Sequence, residues 1–255
     1  MITKEQIEKL SQEFKIDQFT IFREYLQILF LNFLYREKES EKIYFKGGTC
    51  LHLFFASPRF SEDLDFSTLL SEKTIKNLIK RIEKNLRLEL PGVKISFLWK
   101  GKQALRFRLK YQTKEFKYPL AIRIDFSLEK TFLKPALSPL KTKFPIGSPS
   151  LVLYLNEKEL LAEKIRAFLW RAKGRDFYDL WYLFEQGVQL DKKVVGKKLE
   201  RAKMKFGKKI FLEKIKRYPT KKINLDLARF LPSHQRKIIP ELKERLIYLC
   251  QKLEF

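Results

Sequence analysis

The sequence predicts an α+β chain, with a small mixed sheet and flanking helices in the first half and a helical bundle in the second. Three observations carry this reading. Apolar residues recur at three- and four-residue spacing near both ends. Three segments between them, 93–99, 104–111 and 118–129, read as consecutive strands. A stretch rich in proline and serine, 131–150, separates the two patterns and suggests a linker. With 255 residues, 45% of them hydrophobic and 23 of them Phe, the chain can bury a sizeable core. The expected domains are 1–148, with leading helices over 3–36, and 149–255.

Each element follows from local chemistry. Ile7, Leu10 and Phe14, then Phe22, Leu26, Leu29 and Phe33, lie on helical faces, so 3–36 reads as one or two helices. "KIYF" at 42–45 is a short strand that runs into Gly47-Gly48. "TCLHLFFAS" at 49–57 is a buried helix starting near Thr49 and ended by Pro58. "DLDFS" at 63–67 is strand-like. "SEKTIKNLIKRIEKNLRLEL" at 71–90 is an amphipathic helix with a serine N-cap and Pro91-Gly92 as its stop. Gly101 sits at the turn between the first two of the three strands. Beyond the linker, 155–173 and 175–187 are helical, followed by further amphipathic segments.

The stretch "FKGGTCLHLFFASPRFSEDLDFS" holds the chemistry. Side chains two apart in a strand point the same way, so Asp63 and Asp65 would share one face while Leu64 and Phe66 are buried on the other. "IRIDF" repeats the scheme, with Ile122, Ile124 and Phe126 toward the core and Arg123 and Asp125 outward. If the two strands are neighbours, Asp63, Asp65 and Asp125 form a carboxylate trio. Such a group repels itself unless a hard divalent cation resolves it. Two such ions serve in-line displacement at phosphorus. A strand–Gly-Gly–helix turn lets backbone N–H groups approach a phosphate, and the helix N-terminus favours negative charge. Thr49 adds a hydroxyl donor or a cap. No Walker-type or Rossmann glycine pattern occurs.

These residues carry a resemblance. "KGGTCLHLFFASPRFSEDLDFS" resembles the signature of the AbiEii/AbiGii-type toxin nucleotidyltransferases, a branch of the DNA polymerase β-like superfamily with G-[GS]-[ST], a gap, then D-x-D. Arg59 and Ser61 match the arginine-x-serine ahead of the acids. A second block, "ELLAEKIRAFLWRAKGRDFYDLWYL" at 159–183, is similar to the family's helical half. The resemblance implies a minimal nucleotidyltransferase sheet followed by a helical bundle, in a toxin of a toxin–antitoxin or phage-abortive system. By position it implies Asp63 and Asp65 as the metal pair and Gly47, Gly48 and Thr49 as the triphosphate cradle, with Lys46, Arg59 and Ser61 beside it. Lys164 would contact the nucleotide, and Asp176 or Asp179 would complete the helical side. Asp125 would be the third carboxylate. The substrate would be an NTP, the cofactor Mg²⁺ or Mn²⁺, the acceptor an RNA such as tRNA, and the partner a cognate antitoxin encoded nearby.

Plainer roles stand beside these. Asp125 could pair with Arg106 or Arg123, Lys164 could flank an amphipathic helix, Asp176 suits a helix start, and Asp179 could pair with Arg175. His52 alternates with apolar residues and reads as packed. Two rival functions also remain: a non-catalytic nucleic-acid or partner-binding protein on the same fold, and a phosphotransferase acting on protein hydroxyls.

Composition narrows the setting. Fifty-four Lys and Arg against 30 Asp and Glu give a formal charge of +24, which points to an anionic partner. The window 192–222 alone holds 14 Lys and Arg against Glu200 and Glu213, so a helix face there could meet a phosphate backbone. Two cysteines exclude a disulfide framework, and two histidines make a His-based triad improbable. "YLQILFLNFLY" at 25–35 is too short to span a bilayer. These features predict a cytoplasmic protein with no membrane partner.

Overall fold

The computed structural model describes residues 1–113, 116, 118–205 and 207–252. They form two compact units, Met1–Leu155 and Asn156–Phe255.

In the first unit the order is α1 (Lys4–Phe14), α2 (Gln18–Leu34), β1 (Ile43–Lys46), α3 (Gly47–Phe54), β2 (Leu64–Thr68), α4 (Glu72–Glu89), β3 (Lys94–Gly101), β4 (Ala104–Tyr111), β5 (Leu120–Leu128), β6 (Ala136–Pro139) and β7 (Leu151–Tyr154). A side-chain cap starts α4 where the sequence expects it, and another, not anticipated, starts α2. Ser71 Oγ accepts the Thr74 N–H at the head of α4, and Asp17 Oδ1 accepts the Thr20 N–H at the head of α2. The strands form one seven-stranded sheet in the order β3-β4-β5-β2-β1-β7-β6. β2 runs parallel to β5 and β1 parallel to β7, while the other neighbours are antiparallel.

One face of the sheet is apolar. Phe45, Leu64, Phe66, Leu105, Ile122, Ile124 and Phe126 are buried there, and α2 and α4 pack against the unit's core. Phe66 is central, with ring centroids 5.3 Å from Phe45 and 5.1 Å from Phe126. The polar residues that interrupt the apolar run of α2 have assigned partners. Gln27 Nε2 donates to the Ser61 carbonyl at 3.1 Å, and Asn32 Oδ1 accepts the Ser150 N–H at 3.0 Å. Both are buried, where an unpartnered amide would be costly.

Two features depart from the sequence reading. The expected linker, 131–150, contains β6, and β7 follows it, so the sheet unit extends to Leu155 rather than stopping at 148. Pro139 ends β6, which lies at the sheet's edge, where a missing N–H costs no ladder bond. The helix expected from Thr49 starts at Gly47 itself, because Gly47 takes φ +86° and turns the chain straight out of β1.

The second unit contains α5 (Glu157–Trp170), α6 (Gly174–Glu185), α7 (Lys192–Glu200), α8 (Lys208–Arg217), α9 (Thr220–Leu227) and α10 (Leu242–Lys252). Phe168, Phe177 and Phe211 meet edge to face in its core, with centroids 4.9 and 5.4 Å apart. The lysine-rich window folds into α7 and α8 and does not lie wholly at the surface. Lys198 is fully buried, with its Nζ 2.9 Å from Glu159 and 2.6 Å from Glu163. Cys50 and Cys250 are buried and not in a disulfide, and burial pushes the Cys250 thiol up to about 12. No described helix is long and apolar enough to cross a membrane.

Candidate active site

The polar face of the sheet carries a row of charges fixed by strand register. Lys46 on β1 is opposite Asp65 on β2, Asp65 is opposite Asp125 on β5, and Asp125 is opposite Arg106 on β4. The alternation that buries Phe66 and Phe126 brings Asp65 and Asp125 side by side on the other face, as the conditional sequence reading required. Asp63 lies just ahead of β2, and Arg123 bridges it to Asp125. The Arg123 Nη2 donates to Asp63 Oδ2, and its Nε lies 3.2 Å from Asp125 Oδ2. Arg106 grips Asp125 with two bonds, 2.7 Å from Nε and 3.1 Å from Nη2. That bidentate bond, more than the partial burial opposing it, holds the Arg106 guanidinium above its ordinary range.

Among the described residues, no three His, Cys, Asp or Glu side chains are gathered as a metal-ligand set. Two guanidiniums divide the trio and supply its positive charge. The chemistry of the site still suits a hard cation, because Asp63 and Asp125 already converge on one shared positive group.

The diglycine turn abuts the acids. A Cβ on Gly47 would fall 2.2 Å from Asp65 Oδ2, so only glycine lets the backbone come this close to the carboxylate. At Gly48 a Cβ would lie 2.4 Å from Arg59 Nη2 and 2.8 Å from Ser61 Oγ. The helix start, the arginine-x-serine and the acids thus form one connected surface. Thr49 is buried and its hydroxyl donates to the Asp63 carbonyl at 2.5 Å, fastening the start of α3 to the segment that presents the acids. The N-cap residue of α3, Lys46, makes no side-chain capping bond and the helix's own first turn holds no acid, so the negative charge nearest its N-terminus comes from Asp65 on β2.

Lys46 is buried, and its Nζ sits 2.6 Å from Glu129 Oε1. The sequence reading missed Glu129. The signal was present, because Glu129 continues the period-two alternation of Asp125 and Ser127 past the end of β5. The segment that leads to the acids is pinned from α2. Besides the Gln27–Ser61 bond, Arg23 lies 3.3 Å from Glu62. His52 links Glu24, at 3.2 Å, to the Ser57 carbonyl, at 2.6 Å. Burial pulls the His52 pKa down, but Glu24 and the Ser57 carbonyl outweigh it and leave it above 6.5. His52 is a packed bracing residue, as its alternation suggested.

In the second unit Lys164 on α5 meets Asp179 on α6, with Nζ 2.6 Å from Oδ2 and both side chains buried. Asp179 therefore pairs with Lys164 on the neighbouring helix, where helical spacing had suggested Arg175. Asp176 has a local role. It accepts the Lys173 N–H at 3.0 Å and holds Arg171 at 3.2 and 3.1 Å, so it organises the start of α6.

A family model described as "Nucleotidyl transferase AbiEii toxin, Type IV TA system" matches residues 29–247. The chain belongs to this family. As an AbiEii-family protein it is a nucleotidyltransferase of the toxin–antitoxin class, and the family implies a cognate antitoxin as partner. Solved structures share its α+β fold. MenT4, a nucleotidyltransferase toxin from Mycobacterium tuberculosis, aligns with a TM-score of 0.60 at 16% identity, covering 100% of this chain and 91% of its own. JHP933 from Helicobacter pylori aligns with a TM-score of 0.57 at 18% identity, covering 93% of this chain and 94% of its own. Among curated proteins, none matches the chain in sequence.

Proposed function

We propose that this AbiEii-family chain transfers a nucleoside monophosphate from an NTP to a hydroxyl of an RNA, with tRNA as the expected acceptor, and releases pyrophosphate. It would do so in the cytoplasm as the toxin of a toxin–antitoxin or phage-abortive pair. The observation that carries the proposal is the approach of the Gly47 backbone to Asp65, itself in register with Asp125. The proposed phosphate cradle and the carboxylates would thereby be adjacent on one sheet.

Asp63 and Asp65, with Asp125 adjoining, would hold Mg²⁺ or Mn²⁺. Bound there, the ion would supply charge neutralisation for the phosphates and activate the acceptor hydroxyl. The chain's own residues do the rest. The N–H groups at the start of α3 bind the triphosphate, aided by the helix dipole. Arg59 and Ser61 brace that turn from below, and Thr49 keeps it in step with Asp63. Arg106 and Arg123 orient the carboxylates and hold positive charge beside them. Catalysis of this kind is placement and electrostatics, so no histidine is needed. In the helical unit, Lys164 is the proposed nucleotide contact and Asp179 its positioning acid. Asp176 is assigned to the architecture of α6.

The test is incubation with each α-labelled NTP, total tRNA and Mg²⁺ or Mn²⁺. Label on RNA is the expected result. Label on protein instead would indicate nucleotidyl transfer to a protein hydroxyl, protein labelled only by γ-labelled NTP would indicate phosphotransfer, and no transfer of either label under any condition would favour the binding-protein reading.

A further inference from the structure

The row of charges does not end at Arg106. Opposite Arg106 on β3 stands Trp99, with half of its surface exposed (51%). A tryptophan so open on an edge strand calls for an explanation.

Register supplies the first part. Phe97 pairs with Phe107, yet Trp99 pairs with Arg106, so the ladder slips by one residue at Leu98. In an unbroken ladder, Leu98 would stand opposite Arg106, and Trp99 would point to the helix-covered face beside Leu105. The bulge reverses this and puts the indole on the face of Asp65 and Asp125. Bulges next to functional sites commonly re-aim a side chain in this way. Gly101 supplies the second part. A Cβ there would lie 2.3 Å from Trp99 Cη2, so the far edge of the indole occupies space that only glycine leaves open. Arg106 Cζ lies 5.7 Å from the ring centroid, and Arg108 and Lys110 continue along the same face of β4, both exposed.

Order along the sheet tells what this platform would hold. The diglycine turn leaves from β1, the acids stand on β2 and β5, and Trp99 stands on β3, beyond them. In-line displacement places the leaving pyrophosphate and the attacking hydroxyl on opposite sides of the phosphorus. With the triphosphate at the glycine turn, the acceptor enters from the β4–β3 side. Trp99 lies two strand spacings, about 9–10 Å, from Asp125.

We infer that Trp99 is a stacking platform for the terminal base of the single-stranded RNA acceptor, whose backbone follows Arg106, Arg108 and Lys110. The inference rests on the transferase reading above and assigns its acceptor side. An indole face takes any base, and neighbouring guanidiniums neutralise phosphates, which is the composition of a single-strand groove.

The experiment measures binding of a fluorescein-labelled eight-nucleotide oligoadenylate by anisotropy, together with the KM values for acceptor and NTP. Trp99→Ala should weaken oligonucleotide binding and raise the acceptor KM by about 5- to 100-fold, with the NTP KM unchanged. Trp99→Tyr, which keeps an aromatic face, should stay close to the parent and shows that the fold is not at issue. Trp170→Ala, at the exposed tryptophan of the second unit, should change nothing. Parental oligonucleotide binding by Trp99→Ala, or a rise confined to the NTP KM, would overturn the proposal. A parent that binds the oligonucleotide through Trp99 but transfers no label would refute the transferase reading alone. Label transfer without any dependence on Trp99 would refute the platform alone.

Discussion

On the sheet of the first unit, carboxylates and guanidiniums are partly exposed and shared, with Arg123 serving Asp63 and Asp125 together and Arg106 adding two bonds to Asp125. In the second unit, Lys198 is sealed between Glu159 and Glu163, and Lys164 is buried against Asp179. The residue types are nearly the same, but their settings differ. Charges on an open sheet face can exchange partners with a ligand at modest cost, because water still screens them. Lys198 cannot, because removing one member of a buried pair strands the others in a poorly solvating interior. The comparison teaches that the sheet face is built for exchange and the Lys198 cluster for holding helices α5 and α7 together.

The largest effect that would sharpen this contrast is metal removal. Chelation with EDTA should reduce label transfer to background, and added Mg²⁺ or Mn²⁺ should restore it, while the thermal transition of the protein hardly moves. A transition that collapsed with EDTA would mean that the metal holds structure rather than chemistry.

Next in size, Lys198→Ala should cost about 3–5 kcal/mol of stability by taking the ammonium from the fully buried Glu159 carboxylate, measured by urea unfolding. Transfer per folded molecule should be unchanged. A small stability loss would break the comparison from the other side.

Gly47→Ala should be smaller in stability, about 1–3 kcal/mol for a side chain forced to positive φ, but should also lower transfer because its Cβ meets Asp65. Parental transfer and stability would show that the close approach is not required.

The smallest effect is the pH dependence set by His52. Its folded pKa is raised above 6.5, so the protonated form contributes stability that is fully present below the unfolded value. That stability is lost as pH rises through the folded value. Unfolding free energy should therefore decline on raising pH above about 6.5, the ordinary histidine value. His52→Gln should flatten that slope, and an unchanged slope would remove His52 as its source.

Much of this was legible where local rules suffice. Gly47-Gly48 ahead of an apolar helix, Ser71 as a cap, and alternation around Asp65 and Asp125 each follow from a few neighbouring residues. What escaped depends on distant pairing. Pro135 and Pro139 hid β6, because proline argues against a strand unless the strand is known to be an edge. Arg106 was already named as a possible partner of Asp125, but its bidentate grip and the capture of Asp63 by Arg123 required the order of β4, β5 and β2. The sealing of Lys198 required the packing of α5 on α7, and a lysine-rich window reads as surface without it. The bulge at Leu98 left no mark, since "SFLWK" alternates in neither register.

The most direct measurement compares label transfer per folded molecule in the parent and in Asp65→Asn, which keeps shape and removes charge. The account predicts a loss of about 10²–10³-fold, the scale for deleting one electrostatic group at a reacting centre, with an unfolding midpoint close to the parent's. Transfer at the parental rate by the folded variant would contradict it.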